Sequence, residues 1–154
     1  MSDISDNVKL FMVTKDDIKF LYHLVQERSK YPEDYKTPAS ELPNYLQHTD
    51  FVNSFLKNKK SHSYLAWYVI VLRNDDAQNE KVGAIPLKKN GEWGFHILMN
   101  HWGKGIGTIS AKKLFALHPT VKFWGRCMAR NKRSAHMFEK LGFTLTELTF
   151  KKIN

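Results

Sequence analysis

The chain has 154 residues, enough for one domain with a buried core, and its 42% apolar and 13% aromatic content excludes a disordered protein. The single cysteine excludes an internal disulfide, and no metal site is predicted. Residues 1–7 lack the apolar segment of a signal peptide, and no apolar run reaches the ~20 residues of a membrane span, so we expect a soluble cytoplasmic protein. The net charge of +9 favours an anionic partner, either nucleic acid or a phosphorylated cofactor, although the scattered basic residues could instead serve only solubility.

The N-terminal part of the chain predicts a strand, a helix and a loop. Val8–Val13 is a short apolar strand, and Thr14 with Asp17 has the spacing of a capping box. Apolar residues then recur at helical spacing and form one face, at Ile18, Leu21, Tyr22 and Val25. The three prolines in Tyr31–Pro43 predict a loop.

The middle of the chain predicts a second helix followed by two strands. The helix covers about Asp50–Lys59 and buries one apolar face. Tyr64–Leu72 is continuously apolar and rich in aromatic and β-branched residues, which is typical of a central strand. A polar turn over Arg73–Glu80 leads to the strand Val82–Lys89. There Pro86 cannot donate to a ladder, so it should lie near a strand end or a bulge.

The dipeptide Asn90-Gly91 is the strongest turn signal and predicts a type I′ hairpin turn, in which both residues have positive φ. The later elements are then a strand at Glu92–Asn100, a helix ending at Leu117, a strand at Thr120–Met128, a helix at Asn131–Leu141 capped by Gly142, and a strand at Phe143–Lys152. The element order β-α-α-β-β-β-α-β-α-β predicts a mixed α/β (α+β) fold with four helices.

The segment His101–Gly107 joins a predicted strand to a helix through three glycines. Free N–H groups at a helix start, together with the helix dipole, attract anions, and glycine lets a phosphate approach the backbone closely. Lys104 and Thr108 could add donors. The same glycines could instead serve only a tight turn. The Gly-Lys-Ser/Thr ending of a Walker loop is missing, and the preceding strand belongs to a hairpin, unlike that of a Rossmann fingerprint.

Two further motifs follow this loop in order, Asn131-Lys132-Arg133-Ser134 and Phe138-Glu139-Lys140-Leu141-Gly142-Phe143. Together with His101-Trp102-Gly103-Lys104-Gly105-Ile106-Gly107 they resemble the GNAT superfamily of acyl-CoA N-acyltransferases. The spacing is similar to that of the ribosomal-protein alanine acetyltransferases. The resemblance implies a single GNAT-like domain over residues 1–154, with a mostly antiparallel sheet of six or seven strands that splays apart at the cofactor site.

The resemblance implies that acetyl-CoA is the cofactor and assigns it three groups of residues. The loop and helix start would bind the pyrophosphate through Trp102, Gly103, Lys104, Gly105, Ile106, Gly107 and Thr108. The end of the preceding strand, Leu98, Met99 and Asn100, would pair with the pantetheine as an added strand does. Asn131, with Ser134, would reach the pantetheine arm from the last helix, although Asn131 could equally be a plain helix N-cap.

Transfer to an amine requires a base, and Glu92 matches a glutamate that this branch often carries on the same strand. Strand alternation puts His96 on the same face, so it is the second candidate for the base or a relay, while Glu92 could instead be merely solvated. The family often places a tyrosine in the last helix to protonate the leaving thiolate, but Phe138 stands there. Solvent, Tyr64 or Tyr68 could supply that proton, or the protein could be catalytically weak.

The acceptor would be an amine on a small molecule, such as a nucleotide-linked amino-sugar, or on a protein N-terminus. Its pocket would draw on the first two helices and nearby strand ends, at His23, Glu27, Arg28, Tyr31, Tyr35, His48 and Trp67. A CoA-binding module without turnover is the alternative, and a basic nucleic-acid-binding domain is a weaker one because it leaves the paired motifs unexplained. The sequence leaves a homodimer open.

Overall fold

The computed structural model describes residues 3–30 and 41–154, which form an antiparallel sheet with helices on both faces. The strands follow the chain order across the sheet: β1 Val8–Met12, β2 Tyr64–Arg73, β3 Asn79–Lys88 and β4 His96–Ile97. The helices are α1 Ile4–Asn7, α2 Ile18–Glu27, α3 Tyr45–Lys57, α4 Ile106–Leu117 and α5 Lys132–Lys140. Within the described ranges, no helix combines the length and apolar character needed to cross a bilayer.

Strand β2 lies at the centre of the sheet and is buried on both faces, as its continuous apolar sequence predicts. From Ala66 onward, its odd-numbered apolar residues pack towards α2 and α3, whereas its even-numbered ones pack towards α4 and α5. The first core contains Trp67, Val69, Val71, Leu21, Leu24, Val52 and Phe55. The second contains Ala66, Tyr68, Ile70, Trp93, Ile106 and Leu114. The sheet therefore separates two cores, and α4 is anchored to the second one.

Side-chain caps fix the starts of the first two long helices. Thr14 and Asp17 form the predicted capping box, each side chain bonding the other residue's main-chain N–H. A second box pairs Asn44 with Gln47 and starts α3 at Tyr45, so the start predicted at Asp50 is wrong by five residues.

The mixed α/β fold is confirmed, but the sheet is smaller than predicted. Within the described residues the sheet has four strands rather than six or seven, and the same residues form five α-helices rather than four. Thr120–Met128 contributes one parallel bridge, between Glu92 and Trp124, and Phe143–Lys152 is not part of the sheet. The strand predicted at Glu92–Asn100 is reduced to β4.

The turn predicted at Asn90-Gly91 is present, but its type differs. Gly91 has φ +93°, whereas Asn90 is not among the described residues with positive φ, so the turn is not type I′. The Gly91 N–H donates to the Lys88 carbonyl (3.0 Å), and the Lys88 N–H donates to the Glu92 carbonyl (2.8 Å). This is a three-residue loop in which one left-handed glycine closes the hairpin.

Candidate functional site

A cleft opens where the segment after β3 parts from residues 124–128. The two stretches are joined at Trp93, whose N–H donates to the Trp124 carbonyl (3.1 Å), and at Gly91, whose carbonyl accepts from the Trp124 N–H (3.1 Å). Beyond these bonds they diverge and enclose a cleft of about 680 Å³, whose mouth is formed by the start of α4 and by α5. That volume suits a cofactor-sized ligand.

Residues of β4 and of the segment just before it line this cleft. The N–H groups of Gly94 and Leu98 point to β3, where they donate to the Pro86 and Val82 carbonyls (3.4 and 2.9 Å). Because hydrogen bonding alternates along an antiparallel strand, the main-chain groups of Phe95 and Ile97 point the other way, to the diverging edge. Pro86 lies within β3 on the side that faces β4, where its missing N–H weakens the ladder.

The glycine loop presents an open helix start to the cleft. Gly103 and Gly105 have φ of +80° and +79°, and a Cβ built on either one meets no atom within 4 Å. Gly105 is the N-cap of α4 and offers no side chain to its first N–H groups. Those N–H groups have no partner inside the helix, so they and the helix dipole favour an anion such as a phosphate. The local geometry therefore fits the pyrophosphate of CoA.

A chain of three polar side chains supports this loop. The Lys104 ammonium lies 3.3 Å from His101 Nδ1, and His101 Nε2 lies 3.2 Å from Glu80 Oε1. An ammonium can only donate and a carboxylate can accept, so the two ring nitrogens can connect Lys104 to Glu80 through hydrogen bonds. The buried His101 thus links the lysine of the loop to β3.

Trp102 connects the loop to both neighbouring elements. Its Nε1–H donates to the Ile97 carbonyl (2.7 Å), and the Arg133 guanidinium lies 3.7 Å from its ring centre. Sequence reasoning missed Arg133 as part of the site. The cation in the Asn-Lys-Arg-Ser motif was the available signal, because arginine stacks readily on an aromatic face.

The residues predicted for the pantetheine fall in different environments. Asn131 is buried, caps α5 by accepting from the Ser134 N–H (3.1 Å), and lines the cleft together with Ser134. Leu98 packs against the core beside α2 and α3, and Met99 and Asn100 belong to a single 3-10 turn, Met99–His101. The extended conformation predicted for Met99 and Asn100 is therefore wrong.

Glu92 lies beside the point at which the two stretches part, between Trp93 and Trp124, which we call the vertex of the cleft. Its carboxylate is shared between two cations. Lys88 Nζ contacts Oε1, and Arg126 Nε donates to Oε2 (2.8 Å). Burial alone would raise the pKa of Glu92, but the hydrogen bonds and charges of Lys88 and Arg126 together hold that pKa below its usual value. The carboxylate is therefore ionised and faces the cleft.

His96 also lines the cleft and is 7% exposed. Burial, with smaller contributions from the charges of Arg28 and His23, lowers the pKa of His96 to about 3. Its Nε2 lies 3.7 Å from Oε2 of Glu27, whose Oε1 accepts from the Met99 N–H (3.2 Å). His96 is therefore a neutral imidazole near a carboxylate, better suited to accept or donate a hydrogen bond than to carry charge.

Of the candidate positions for proton donation, Tyr68 is engaged elsewhere and Phe138 lacks a proton, while burial raises the pKa of Tyr64. The Tyr68 hydroxyl bonds His118 Nε2 (2.9 Å) at the end of α4, on the side of the second core. Phe138 lines the cleft and packs against Trp93, and a Cβ on Gly125 would lie 2.4 Å from its ring. Phe138 therefore fills the space beside the vertex.

Of the residues predicted for the acceptor pocket, Arg28 and Trp67 line the cleft. His48 is buried and lies against Tyr22, away from the cleft lining. Tyr31 and Tyr35 lie outside the described residues. The cleft thus continues from the glycine loop to the C-terminal end of α2.

The profile of the acetyltransferase (GNAT) domain matches residues 7–144, so the chain belongs to the GNAT acetyltransferase family. The family resemblance predicted from the glycine loop and the two motifs that follow it is confirmed. Acetyl-CoA, the cofactor predicted from the sequence, is the acyl donor of this family. A search of curated protein sequences found no significant match.

Solved structures share the fold at low sequence identity. The chain is similar to the ribosomal L7/L12 α-N-protein acetyltransferase RimL in complex with coenzyme A, with a TM-score of 0.74 and 15% identity over 94% of this chain and 84% of that one. It is also similar to spermidine N-acetyltransferase from Vibrio cholerae bound to CoA and spermine (TM-score 0.76, 14% identity, 92% and 83%). A third is the microcin C7 self-immunity acetyltransferase MccE with acetyl-CoA and AMP (TM-score 0.73, 19% identity, 92% and 81%).

Proposed function

We propose that this protein transfers the acetyl group of acetyl-CoA to a primary amine by direct attack of the amine on the thioester. The observation that carries the proposal is the diverging edge of β4 with the glycine-led start of α4 at its mouth. An edge strand with free main-chain groups suits the amides of an extended ligand, and an open helix start suits its phosphates.

The cofactor would be held along the whole cleft. The loop and helix start, Trp102, Gly103, Lys104, Gly105, Ile106, Gly107 and Thr108, would bind the pyrophosphate. The outward main-chain groups of Phe95 and the outward N–H of Ile97 would pair with the pantetheine, in place of Met99 and Asn100, which lie in a turn. The Ile97 carbonyl already accepts from the Trp102 Nε1–H. Asn131 and Ser134 would approach it from α5, and the cap that Asn131 makes is compatible with that role.

Acetyl-CoA supplies a thioester carbonyl that an amine can attack without an acyl-enzyme. Glu92 would take the proton of the amine, because its carboxylate is ionised and faces the cleft near the vertex. His96 would orient the amine through a hydrogen bond to its neutral ring. Phe138 has no proton to give, so solvent would protonate the leaving thiolate, whose ordinary pKa of ~8.5 requires little assistance.

Two classes of amine acceptor are candidates. Proteins of this fold include RimL, which acts on ribosomal L7/L12, and a spermidine N-acetyltransferase. A small-molecule amine and a protein N-terminus are therefore both candidates on the basis of fold.

A CoA-binding protein without turnover is the second candidate. Two observations favour it: Phe138 occupies the position of the proton donor, and both oxygens of Glu92 already bond cations, which makes Glu92 a weak base. This candidate predicts acetyl-CoA binding with no acetyl transfer to any amine.

Thermal unfolding with acetyl-CoA, ATP or NAD tests cofactor binding. At 100 times its Kd, a ligand adds about 2.7 kcal/mol, which for this chain length is roughly 5–10 °C in Tm. We expect that shift with acetyl-CoA alone and none in Gly105→Glu, which places bulk and negative charge at the helix start. Gly142→Glu is the matched control, because Gly142 also has positive φ (+88°) and open space but does not line the cleft.

Mass spectrometry of an amine panel then tests transfer. Acetylation of any amine that depends on acetyl-CoA and disappears in Gly105→Glu supports the proposed enzyme. Binding without acetylation of a panel that spans small amines and peptides would favour the second candidate. No shift with millimolar acetyl-CoA would contradict both.

A further inference from the structure

Residues 144–153, which we call the exposed segment, leave large apolar side chains in solvent. The segment follows α5 and is tied to it by the Phe143 N–H, which donates to the Phe138 carbonyl (2.9 Å). From Thr144 onward every residue is exposed, and no main-chain hydrogen bond joins the segment to the rest of the described chain. Its apolar side chains are 70–92% exposed: Leu145, Leu148, Phe150 and Ile153.

The composition of the exposed segment favours a β-strand, although the described sheet does not include it. It contains three threonines, a phenylalanine and an isoleucine, which are frequent in strands, and it contains no glycine or proline. Unpaired main-chain groups beside exposed apolar side chains form a template for pairing with another strand. Because a cluster of large apolar side chains in solvent marks an interaction surface, we expect a partner strand to cover this one.

The sequence of the exposed segment is complementary to its own antiparallel copy. With a two-fold axis at Thr149, each residue lies opposite the one at the same distance on the other side of that threonine. Glu147 is then opposite Lys151, and the symmetry produces this opposite-charge pair twice. The apolar residues also face one another, Leu148 opposite Phe150 and Leu145 opposite Ile153.

Neighbouring registers lose this match. A shift by one residue places Leu148 opposite Lys151 or Thr149, and either shift removes the pair of Glu147 with Lys151. In the matched register, successive residues point to opposite faces, so Leu148 and Phe150 of both copies meet on one face and the charge pairs lie on the other. Within the described ranges, neither Glu147 nor Lys151 forms an ion pair in its own chain.

We propose that residues 144–153 of two copies of this chain pair as an antiparallel β-ribbon centred on Thr149, which makes the protein a two-fold symmetric dimer. The charge complementarity of the segment with itself identifies a second copy as the partner. A ribbon of two strands is marginally stable, so we expect a dimer that dissociates on dilution, with a Kd in the micromolar range. This inference does not depend on the proposed acetyl transfer.

Sedimentation of the full chain over a range of concentrations tests the charge pairs. Glu147→Lys and Lys151→Glu should each raise the Kd of the dimer at least about tenfold, because each turns both opposite-charge pairs into like-charge pairs. Both changes in one chain, or an equimolar mixture of the two single variants, should restore the dimer. Recovery in the mixture also shows that both variants are folded. Lys152→Glu is the matched control, because it makes the same change of charge opposite Thr146 and should leave the Kd unchanged.

Disulfide cross-linking tests the register. The experiment uses a Cys127→Ser background, which removes the single cysteine of the sequence. Thr149→Cys should then give a disulfide-linked dimer on mild oxidation, because Cα atoms directly opposite each other in an antiparallel pair are ~4.5–5.5 Å apart, within the range of a disulfide. Thr146→Cys is the control, because its copy lies about 20 Å away along the ribbon.

The two experiments give a clear decision. Charge reversal that is rescued in the mixture, together with cross-linking at position 149 and not at 146, supports the ribbon. A protein that stays monomeric at its highest soluble concentration would overturn the inference, as expected if the segment pairs within its own chain. A dimer that does not respond to the charge variants, or that cross-links equally at both positions, would also overturn it.

Discussion

The Arg133 guanidinium stacks on the Trp102 indole, with its carbon 3.7 Å from the ring centre. Trp102 belongs to the glycine loop, and Arg133 to the first turn of α5, so this contact joins two of the motifs by which the family was recognised. The indole Nε1–H also bonds the Ile97 carbonyl at the end of β4 (2.7 Å). One side chain therefore holds together three elements that enclose the cleft.

Loss of the Trp102 ring should weaken cofactor binding. Trp102→Leu removes the stacking face for Arg133 and the bond to Ile97, so we expect acetyl-CoA affinity, measured by calorimetry, to fall about 5- to 30-fold, or ~1–2 kcal/mol. Trp102→Phe keeps a ring and should lie between Trp102→Leu and the wild type. Wild-type affinity in Trp102→Leu would show that the loop is positioned without this contact.

A methyl group at Gly125 should destabilise the fold. A Cβ there would lie 2.4 Å from Phe138 Cζ, so Gly125→Ala overpacks the vertex, and we expect a loss of about 1–3 kcal/mol in the free energy of unfolding by urea titration. Adding Phe138→Leu removes the clashing ring edge and should restore part of that loss. If the loss in unfolding free energy of the double variant equals the sum of the losses of the two single variants, the two sites are not coupled. The added methyl group would then be accommodated without contact with the Phe138 ring.

The buried neutral state of His96 makes stability dependent on pH. Its pKa is lowered to about 3, so between pH 6.5 and 3 the unfolded chain binds a proton that the folded chain does not. Stability should therefore fall as the pH decreases through this window, by up to about 1.4 kcal/mol per unit from this residue.

His96→Gln should flatten that dependence, measured as the difference in unfolding free energy between pH 7 and pH 5. The exposed residue His136 provides the control, because His136→Gln should retain the wild-type slope. An unchanged slope in His96→Gln would mean that this histidine is not buried in its neutral form.

The parts of the fold that were predictable from sequence depend on local patterns. The apolar run of β2 and the caps at Thr14 and Asn131 identified their elements because burial and capping act over a few residues. The box at Asn44 carried the same kind of signal and was missed. The pairing of Thr120–Met128 depends instead on a distant partner, and its alternation alone did not reveal that only Trp124 would bridge.

The candidate site also has a part that was predictable from local sequence and a part that depends on distant residues. The glycine loop was recognisable because its residues are contiguous and its helix start is a local feature. The meeting of Arg28, Lys88 and Arg126 in one cleft required the folded chain, since these residues come from the C-cap of α2, from β3 and from the segment after α4. The edge formed by Phe95 was displaced from the predicted one because β4 ends early, in the turn Met99–His101.

Substitution of Glu92 tests whether this residue is the general base of the proposed acetyl transfer. Glu92→Gln keeps the shape of the side chain but removes the base, so we expect kcat to fall about 10²- to 10⁴-fold while acetyl-CoA affinity changes little. Steady-state kinetics and calorimetry on the same samples separate the two effects. An unaffected rate would shift the role of base to His96 or water.

Lys88→Met distinguishes a base from a structural carboxylate at the same position. The Lys88 ammonium is one of the two partners that hold the pKa of Glu92 below its usual value. Its removal leaves Arg126 alone, so the pKa of Glu92 should rise, and the acidic limb of the kcat/KM profile should move to higher pH. Lys89→Met is the matched control, because Lys89 bonds the Lys60 carbonyl and does not contact Glu92. A limb that stays in place in Lys88→Met, with Glu92→Gln still inactive, would indicate that Glu92 acts by holding Arg126 rather than by accepting the proton.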